Sequence, residues 1–566
     1  MTLQTQSAPA TAPAGATEPI WFASYPPGIP KTIDADAYSS LSALLLDACA
    51  RHADLPAFEC LGTGMTYTEW ERVSRSFASF LVGEAKFHPG DRIAIMLPNL
   101  LAYPVAFLGA LRAGLTVVNV NPLYTPRELK EQLEDSGATA IVIMENFAHK
   151  LESVLAETEI RHVIVARLGD FMPLLKRTLF NIVNTYVRRA VPAWHFATFT
   201  LLHDACSHPP SAHYTDAAPA ATSPALLQYT GGTTGVAKGA ILTHRNLVAN
   251  ALQCRAVIAP YLPEEQGSVL TPLPLYHIFS LTANLLAFAL MGGRSVLVPD
   301  PRDIKGLIRT LRRAQVATMT GVNTLFNALI NNPEFATLDF SKLKFAVGGG
   351  AAVQSAVAVR WHEITGSQLV EGYGLTEASP VVCLNPVRRP KIGTVGLPVP
   401  STEVAIRDEH GNDLAVGEAG EICVRGPQVM HGYWHRHEES KLVLTEDGWL
   451  HTGDIGAFDD EGFLKILDRK KDMVNVSGFK VFPNEVEDVM AQHPGVLEAA
   501  VIGVADPHTG QSVKLFVVKR DPAVTEADLT QFARERLAAY KVPKVIVFVD
   551  SLPKSNVGKI IRKDLK

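Results

Sequence analysis

Between Asp91 and Met144 the chain switches between two periods. DRIAIML (Asp91–Leu97), LTVVNVN (Leu115–Asn121) and ATAIVIM (Ala138–Met144) are short apolar runs bounded by turn residues. Between them lie PVAFLGALRAG, ending at Gly114, and RELKEQLEDSG, ending at Gly137. Short apolar runs predict strands, and the longer segments closed by glycine predict helices. The β-α-β-α-β order predicts a parallel sheet covered by helices. The rhythm recurs at RSVLVP, a helix over Ile304–Ala314, and ATMTGV.

After about Gly393 the texture changes. EVAIRDEHGN, GEICVRG and GFLKILD alternate over short spans between turn signals, which predicts a β-rich subdomain over about 393–467. Beyond Asp468, NEVEDVMAQHP reads as a helix, EAAVIGVAD and VKLFVVKR as strands, and EADLTQFARERLAAY as a helix. The expected organisation is therefore a loose tail over 1–30, a large α/β domain over 31–467, and a small α+β domain over 468–566.

Two segments test the reading. Ser268–Gly293 carries no charge, but its strongly apolar part, Leu285–Met291, is far short of the ~20 residues of a membrane span. A buried helix is expected. In Phe171–Trp194, Leu175, Leu179, Ile182, Val183 and Tyr186 fall at helical spacing, with Lys176, Arg177, Arg188 and Arg189 among them. A basic amphipathic helix suits an anionic membrane surface on the cytoplasmic side. An ordinary helix packed on the domain is the reading preferred here.

Composition narrows the class. The chain has 566 residues, 47% of them hydrophobic and 19% charged, as in a multidomain globular enzyme. The net charge of -5 gives no general pull toward nucleic acid. The final 98 residues, from Arg469, hold 16 Lys+Arg against 12 Asp+Glu, a basic end that suits an anionic substrate. Six cysteines without metal-ligand spacing fit a reducing, cytoplasmic setting. The Ala/Thr/Pro-rich N-terminus lacks the basic and apolar regions of a signal peptide.

The candidate chemistry begins at YTGGTTGVAKGA, Tyr229–Ala240. Backbone N–H groups of a glycine-rich turn converge on anions, threonine hydroxyls add donors, and Lys238 adds charge. THRNLVANALQ follows with Thr243 as a candidate N-cap, and a helix N-terminus also favours anions. A Walker A loop is excluded, because no Gly-Lys pair is followed by Ser or Thr. VGGGAAV, Val347–Val353, is half of a dinucleotide fingerprint, and no G-x-S-x-G elbow occurs.

Four further segments occur in order: EGYGLTEASP, GWLHTGDIG, DRKKDMVNVSGFKVFPNEVE and PKSNVGKI. Together with the glycine-rich loop they resemble the adenylate-forming superfamily of acyl-CoA synthetases, luciferases and peptide-synthetase adenylation domains. The resemblance runs from about Thr32 to Lys566. NVNPLYTPRELKEQL, TPLPLYHIF, TGVNTLFNAL, VRGPQVM and LPKSNVGKI resemble the bacterial long-chain fatty-acid–CoA ligases in particular.

The resemblance implies activation of a fatty acid by ATP to acyl-AMP, then transfer to coenzyme A. It assigns Thr230, Gly231, Gly232, Thr233, Thr234, Gly235 and Lys238 to the β- and γ-phosphates, Thr376 to the α-phosphate, and Glu377 to Mg²⁺. Gly349, Gly350, Ala351, Glu371, Gly372, Tyr373 and Gly374 would surround the adenine. Asp454 and Arg469 would hold the ribose. Lys559 would bridge carboxylate and α-phosphate from the small mobile domain, which turns about Asp468 between two catalytic conformations. Val476, Ser477, Gly478 and Phe479 would then line the coenzyme A channel. His277 would orient substrate or gate the channel, and Phe279, Val322, Leu325 and Phe326 would line part of the acyl tunnel. Long-chain relatives include homodimers, so a homodimer is open to this chain. Two alternatives stand beside this expectation: a fatty acyl-AMP ligase that serves a carrier protein, and a peripheral membrane lipid-binding protein.

Overall fold

The computed structural model describes residues 18–230, 237–263, 266–555 and 558–565. Arg92–Met96 pairs in parallel with Thr116–Asn119 on one side and Ala140–Met144 on the other, at the middle of a seven-stranded sheet. These strands are buried on both faces, which is why they read as continuous apolar runs. The helix Ala102–Arg112 is buried along its whole length, matching its apolar composition on every side. Pro126–Ser136 is half-exposed and opens with a capping box between Thr125 and Glu128.

A nine-stranded sheet holds the second rhythm. Arg294–Leu297 and Thr318–Gly321 lie on either side of Ser268–Thr271, both parallel to it, with Ile304–Ala314 as the crossover. Ser268–Gly293 passes from that strand into buried helical turns, Ile278–Ser280, Leu281–Leu286 and Ala287–Leu290. Among the described residues no helix is long and apolar enough to cross a membrane.

Glu403–Arg407, Gly420–Arg425, Leu450–Phe458 and Leu464–Arg469 form a four-stranded antiparallel sheet. The last sheet has five strands, with Val496–Asp506 and Gly510–Lys519 as its long central hairpin. Pro483–Ala491 and Glu526–Arg534 pack beside it through Val486, Met490, Leu529 and Ala533.

Three expectations need correction. The helix expected over Glu526–Tyr540 stops at Arg534, because Leu537 and Tyr540 reach the core from a turn instead. Within the stretch expected to be loose, Ile20–Ser24 forms a 3-10 turn whose Trp21 is buried and stacked on Phe458 at 5.4 Å. Leu174–Ile182 is helical as expected, but it does not bury its apolar side.

Candidate active site

One cavity of about 750 Å³ dominates the described residues, and two kinds of wall enclose it. Much of its apolar wall comes from one packed cluster that includes Cys254, Ile258, Val269, Phe288 and Phe345, with Leu273, Ile278 and Val322 added from neighbouring ones. Its polar wall includes Thr230, Lys238, Thr376, Glu377, Tyr433, Arg469 and Lys559. A space with one long apolar lobe and a cluster of cations and hydroxyls suits an amphiphile beside a polyanion.

The glycine-rich stretch is the turn of a β-hairpin. Pro224–Thr230 and Lys238–Thr243 pair antiparallel, with Thr230 opposite Lys238 at the closing rung. Gly231, Gly232, Thr233, Thr234 and Gly235 lie outside the described residues. The helix His244–Ile258 begins at the far end of the second strand, roughly 20 Å of extended chain from Lys238. Its first N–H groups are already taken, His244 by the Ser223 carbonyl, Arg245 by the Ala221 carbonyl and Asn246 by the Thr243 cap. That helix end therefore does not join the loop in holding an anion, contrary to the expectation.

Residues 431–434 run alongside the second strand of this hairpin. The N–H of Ile241 donates to Gly432, and that of Trp434 to Gly239, at 2.8 and 2.7 Å. Tyr433 is thereby brought against the site. Its hydroxyl donates to Glu377 Oε1 at 2.7 Å, and its ring lies 5.3 Å from Lys238 Nζ. Sequence reasoning missed Tyr433, although the neighbouring VRGPQVM was among the quoted segments.

Gly349, Gly350, Gly372, Tyr373 and Gly374 line the cavity. A Cβ at Gly349 would meet the Phe279 ring at 3.0 Å and the Gly372 carbonyl at 3.3 Å, so a side chain there would press on the Phe279 ring. Ala351 and Glu371 are not part of the lining. Glu371 instead accepts the N–H of Val353 at 3.0 Å and holds the 349–353 loop from behind. Burial, with the charge of Asp488 added, pushes its carboxyl up to about 8. Asp454 is buried, accepting the Tyr373 hydroxyl at 2.7 Å, and Arg469 Nε lies 3.3 Å from its other oxygen.

Lys559 enters the cavity on a tight loop. Its N–H donates to Ser555 Oγ at 3.1 Å, and the Gly558 carbonyl accepts from Thr324 Oγ1 at 2.8 Å. A Cβ at Gly558 would fall 2.8 Å from Thr324 Oγ1 and 3.1 Å from Val322, so the loop can only close with glycine before the lysine. Burial, and then the positive field of Arg469 and Arg562, pushes the Lys559 ammonium down to about 8. His277 lines the same cavity, its Nδ1 accepting the Phe279 N–H at 3.3 Å. Burial, and then Lys559, pushes it down to about 4, so it is neutral at pH 7.

The family model of the AMP-binding enzymes matches residues 45–434, and that of their C-terminal domain matches residues 485–559. The chain belongs to the AMP-binding enzyme family. The long-chain-fatty-acid–CoA ligase of Yersinia pestis is 53% identical over 550 residues, covering 97% of this chain and 98% of the relative. That of Salmonella typhimurium is 52% identical over 548 residues, with the same coverage, and that of Haemophilus influenzae is 48% identical over 552. Among solved structures, the anthranilate CoA ligase AuaEII in complex with anthranoyl-AMP superposes with a TM-score of 0.84 at 25% identity, covering 94% of this chain and 98% of that one. A benzoate CoA ligase from Burkholderia xenovorans LB400 gives 0.80 at 28%, covering 93% and 99%.

One pair of residues expected at the site of this AMP-binding enzyme lies elsewhere. Leu325 and Phe326 are core residues, and Phe326 packs edge-on against Trp361 at 5.1 Å. Phe279 and Val322 do line the cavity. The helix Asn323–Ile330 turns Leu325 and Phe326 into the core, while the helix His244–Ile258 supplies part of the apolar wall through Cys254, Val257 and Ile258. Val476, Ser477, Gly478 and Phe479 form a hairpin away from the cavity. Val476, Ser477 and Phe479 border a separate hollow of about 190 Å³, and Phe479 stacks on Tyr540 at 4.8 Å. Asp468 is almost fully buried. Its carboxylate accepts the N–H of Arg469 at 2.8 Å, the N–H of Asn484 at 2.8 Å and Arg562 Nη1 at 3.1 Å.

Proposed function

We propose that the chain is a long-chain fatty-acid–CoA ligase that forms AMP, working in two steps at this one cavity. The observation that carries the proposal is the position of Lys559, inside a cavity whose other walls are an apolar lobe and the Thr376–Glu377–Tyr433 cluster. In the first step a carboxylate oxygen attacks the α-phosphorus of ATP. The bond from that phosphorus to the bridging oxygen breaks, and pyrophosphate leaves. Two anions must meet, so the Lys559 ammonium lies between them and stabilises the charge that builds up on the transferring group. Thr230 and Lys238 hold the departing phosphates from the hairpin, and Arg469 and Asp454 fix the ribose.

Glu377 fits a Mg²⁺ ion shared with those phosphates. Its carboxylate lines the cavity and is oriented by the Tyr433 hydroxyl, and hard oxygen donors suit Mg²⁺. When bound, Mg²⁺ would neutralise phosphate oxygens.

In the second step the sulfur of coenzyme A attacks the acyl carbon, AMP leaves, and the thiol proton is lost. Lys559 has no part in it. The segment after Asp468 turns, withdraws Lys559, and brings the 476–479 hairpin toward the acyl carbon. The test supplies ATP and a 16-carbon acid. Pyrophosphate and enzyme-bound adenylate are expected without coenzyme A, and free thioester once it is added. Adenylate that accumulates in the presence of coenzyme A would contradict the proposal in favour of an acyl-AMP ligase.

A further inference from the structure

The segment Phe171–Trp194 is amphipathic, yet it is mounted with its polar side inward. Lys176 Nζ donates to the Leu61 carbonyl and to the Thr63 hydroxyl, both at 2.8 Å. Arg177 pairs with the His203 imidazole. Asn181 accepts the Gly169 N–H at 2.8 Å, and the buried Asn184 donates to Asn146 at 3.1 Å. The apolar side faces out. Leu175 is 88% exposed, Tyr186 74%, Val187 71% and Leu174 65%, and Leu179 and Ile182 are exposed beside them. The helix Leu174–Ile182 buries no residue. A contiguous ridge of large apolar side chains on a surface marks an interaction site, whereas single ones do not.

The ridge has a basic border. Arg188 and Arg189 follow Val187 directly, and both are exposed. On the inward side a Cβ at Gly62 would lie 3.5 Å from Arg313 and 3.6 Å from Lys176, which sets the end of the helix Ile304–Ala314 near the anchored side of the segment. Arg313 is tied to Glu59, and Arg312 beside it is exposed.

We propose that the outward side of Leu174–Val187 docks the protein on an anionic lipid bilayer. Leu175, Leu179 and Ile182 enter the boundary between headgroups and acyl chains, Tyr186 sits at headgroup level, and Arg188 and Arg189 meet the lipid phosphates. The charges decide the occupant. A second copy bound through the same face would bring two identical arginine borders together, whereas anionic headgroups complement them. The docking does not depend on the ligase reading, which supplies only its use: a substrate with a long alkyl chain partitions into the same bilayer.

The test is co-sedimentation of the full chain with vesicles of phosphatidylglycerol and phosphatidylethanolamine, against vesicles of phosphatidylcholine alone. The wild type is expected to bind the anionic vesicles more tightly, and less so as salt is raised. Leu175→Glu with Leu179→Glu should weaken that binding by more than tenfold. Arg188→Glu with Arg189→Glu should remove the preference for anionic vesicles. Turnover of octanoate, which needs no bilayer, should stay within twofold of wild type in both variants. If the leucine variant loses that turnover, Tyr186→Ser with Val187→Ser gives the same readout. Three outcomes overturn the proposal: a wild type that ignores vesicles, a folded leucine variant that binds as the wild type does, or a wild-type dimer that the leucine variant dissolves. Vesicle binding without any thioester formation would sink the ligase reading and leave the docking intact.

Discussion

Asp488 connects the C-terminal part of the chain to the site from outside it. It lies on the helix Pro483–Ala491, and its carboxylate accepts the N–H of Ser355 at 3.0 Å and the Ser355 hydroxyl at 3.3 Å. Ser355 is the first residue of the helix Ser355–Thr365, so a carboxylate from one part of the chain caps the positive end of a helix in another. Two neighbouring contacts join the same parts, Thr324 to Gly558 at 2.8 Å and Asn327 to the Leu497 carbonyl at 2.9 Å. The first holds the Lys559 loop directly, the second holds the strand Val496–Asp506, and Asp488 adds the charged contact. Asp488→Ala removes two hydrogen bonds to a charged acceptor at a helix N-terminus, worth about 2 kcal/mol together. That corresponds to roughly 30-fold in the population that holds Lys559 in the cavity. The expected result is a 10- to 30-fold loss in acid-dependent exchange of pyrophosphate into ATP. Thioester formation from supplied acyl-adenylate should keep its rate or rise, because its conformation no longer competes with the Asp488 cap. Equal losses in both half-reactions would refute the reasoning and make Asp488 a general stabiliser of the fold.

Further outcomes follow from the same geometry. Lys559 is charged below about 8 and neutral above it, so kcat/KM for adenylation should fall about tenfold per pH unit above pH 8. Glu371 ionises in the same range and then repels Asp488, which acts in the same direction, and a profile flat to pH 10 would contradict both. Cys254→Trp fills the space of several methylenes in the apolar lobe, each worth ~0.8 kcal/mol of binding. Competition between 16- and 8-carbon acids should shift at least tenfold toward the shorter one, and an unchanged ratio would show that the acyl chain runs elsewhere.

Much of the site was legible in the sequence because its residues travel in short motifs. Lys559, Lys238 and the Tyr373–Thr376–Glu377 segment reach one cavity from three places far apart in the chain. Tyr433 was not legible. It reaches Glu377 only because residues 431–434 happen to run beside the strand Lys238–Thr243, a pairing that no local pattern encodes. The strand KGAILT was hidden for another reason. Six residues are too few to separate period 2 from the start of the following helix, and the anion-binding role of that helix was wrongly inferred as a result.

Periodicity also leaves the facing of an element open. The resemblance placed Leu325 and Phe326 in the acyl tunnel without fixing which way their helix faces, and burial took them to the core and left the lobe to residues such as Cys254, Ile258 and Phe288. The same ambiguity reversed the segment after Phe171. Its spacing predicts two faces, and the anchors at Leu61, Thr63 and Gly169 that turn the polar face inward are distant in sequence.

The most direct measurement separates the two half-reactions in Lys559→Ala. If Lys559 acts only while it occupies the cavity, fatty-acid-dependent exchange of pyrophosphate into ATP should fall by at least a hundredfold. Conversion of supplied acyl-adenylate and coenzyme A to thioester should stay within a few fold of wild type. Comparable loss of both, or retention of the exchange, would contradict a lysine that serves the first step and withdraws for the second.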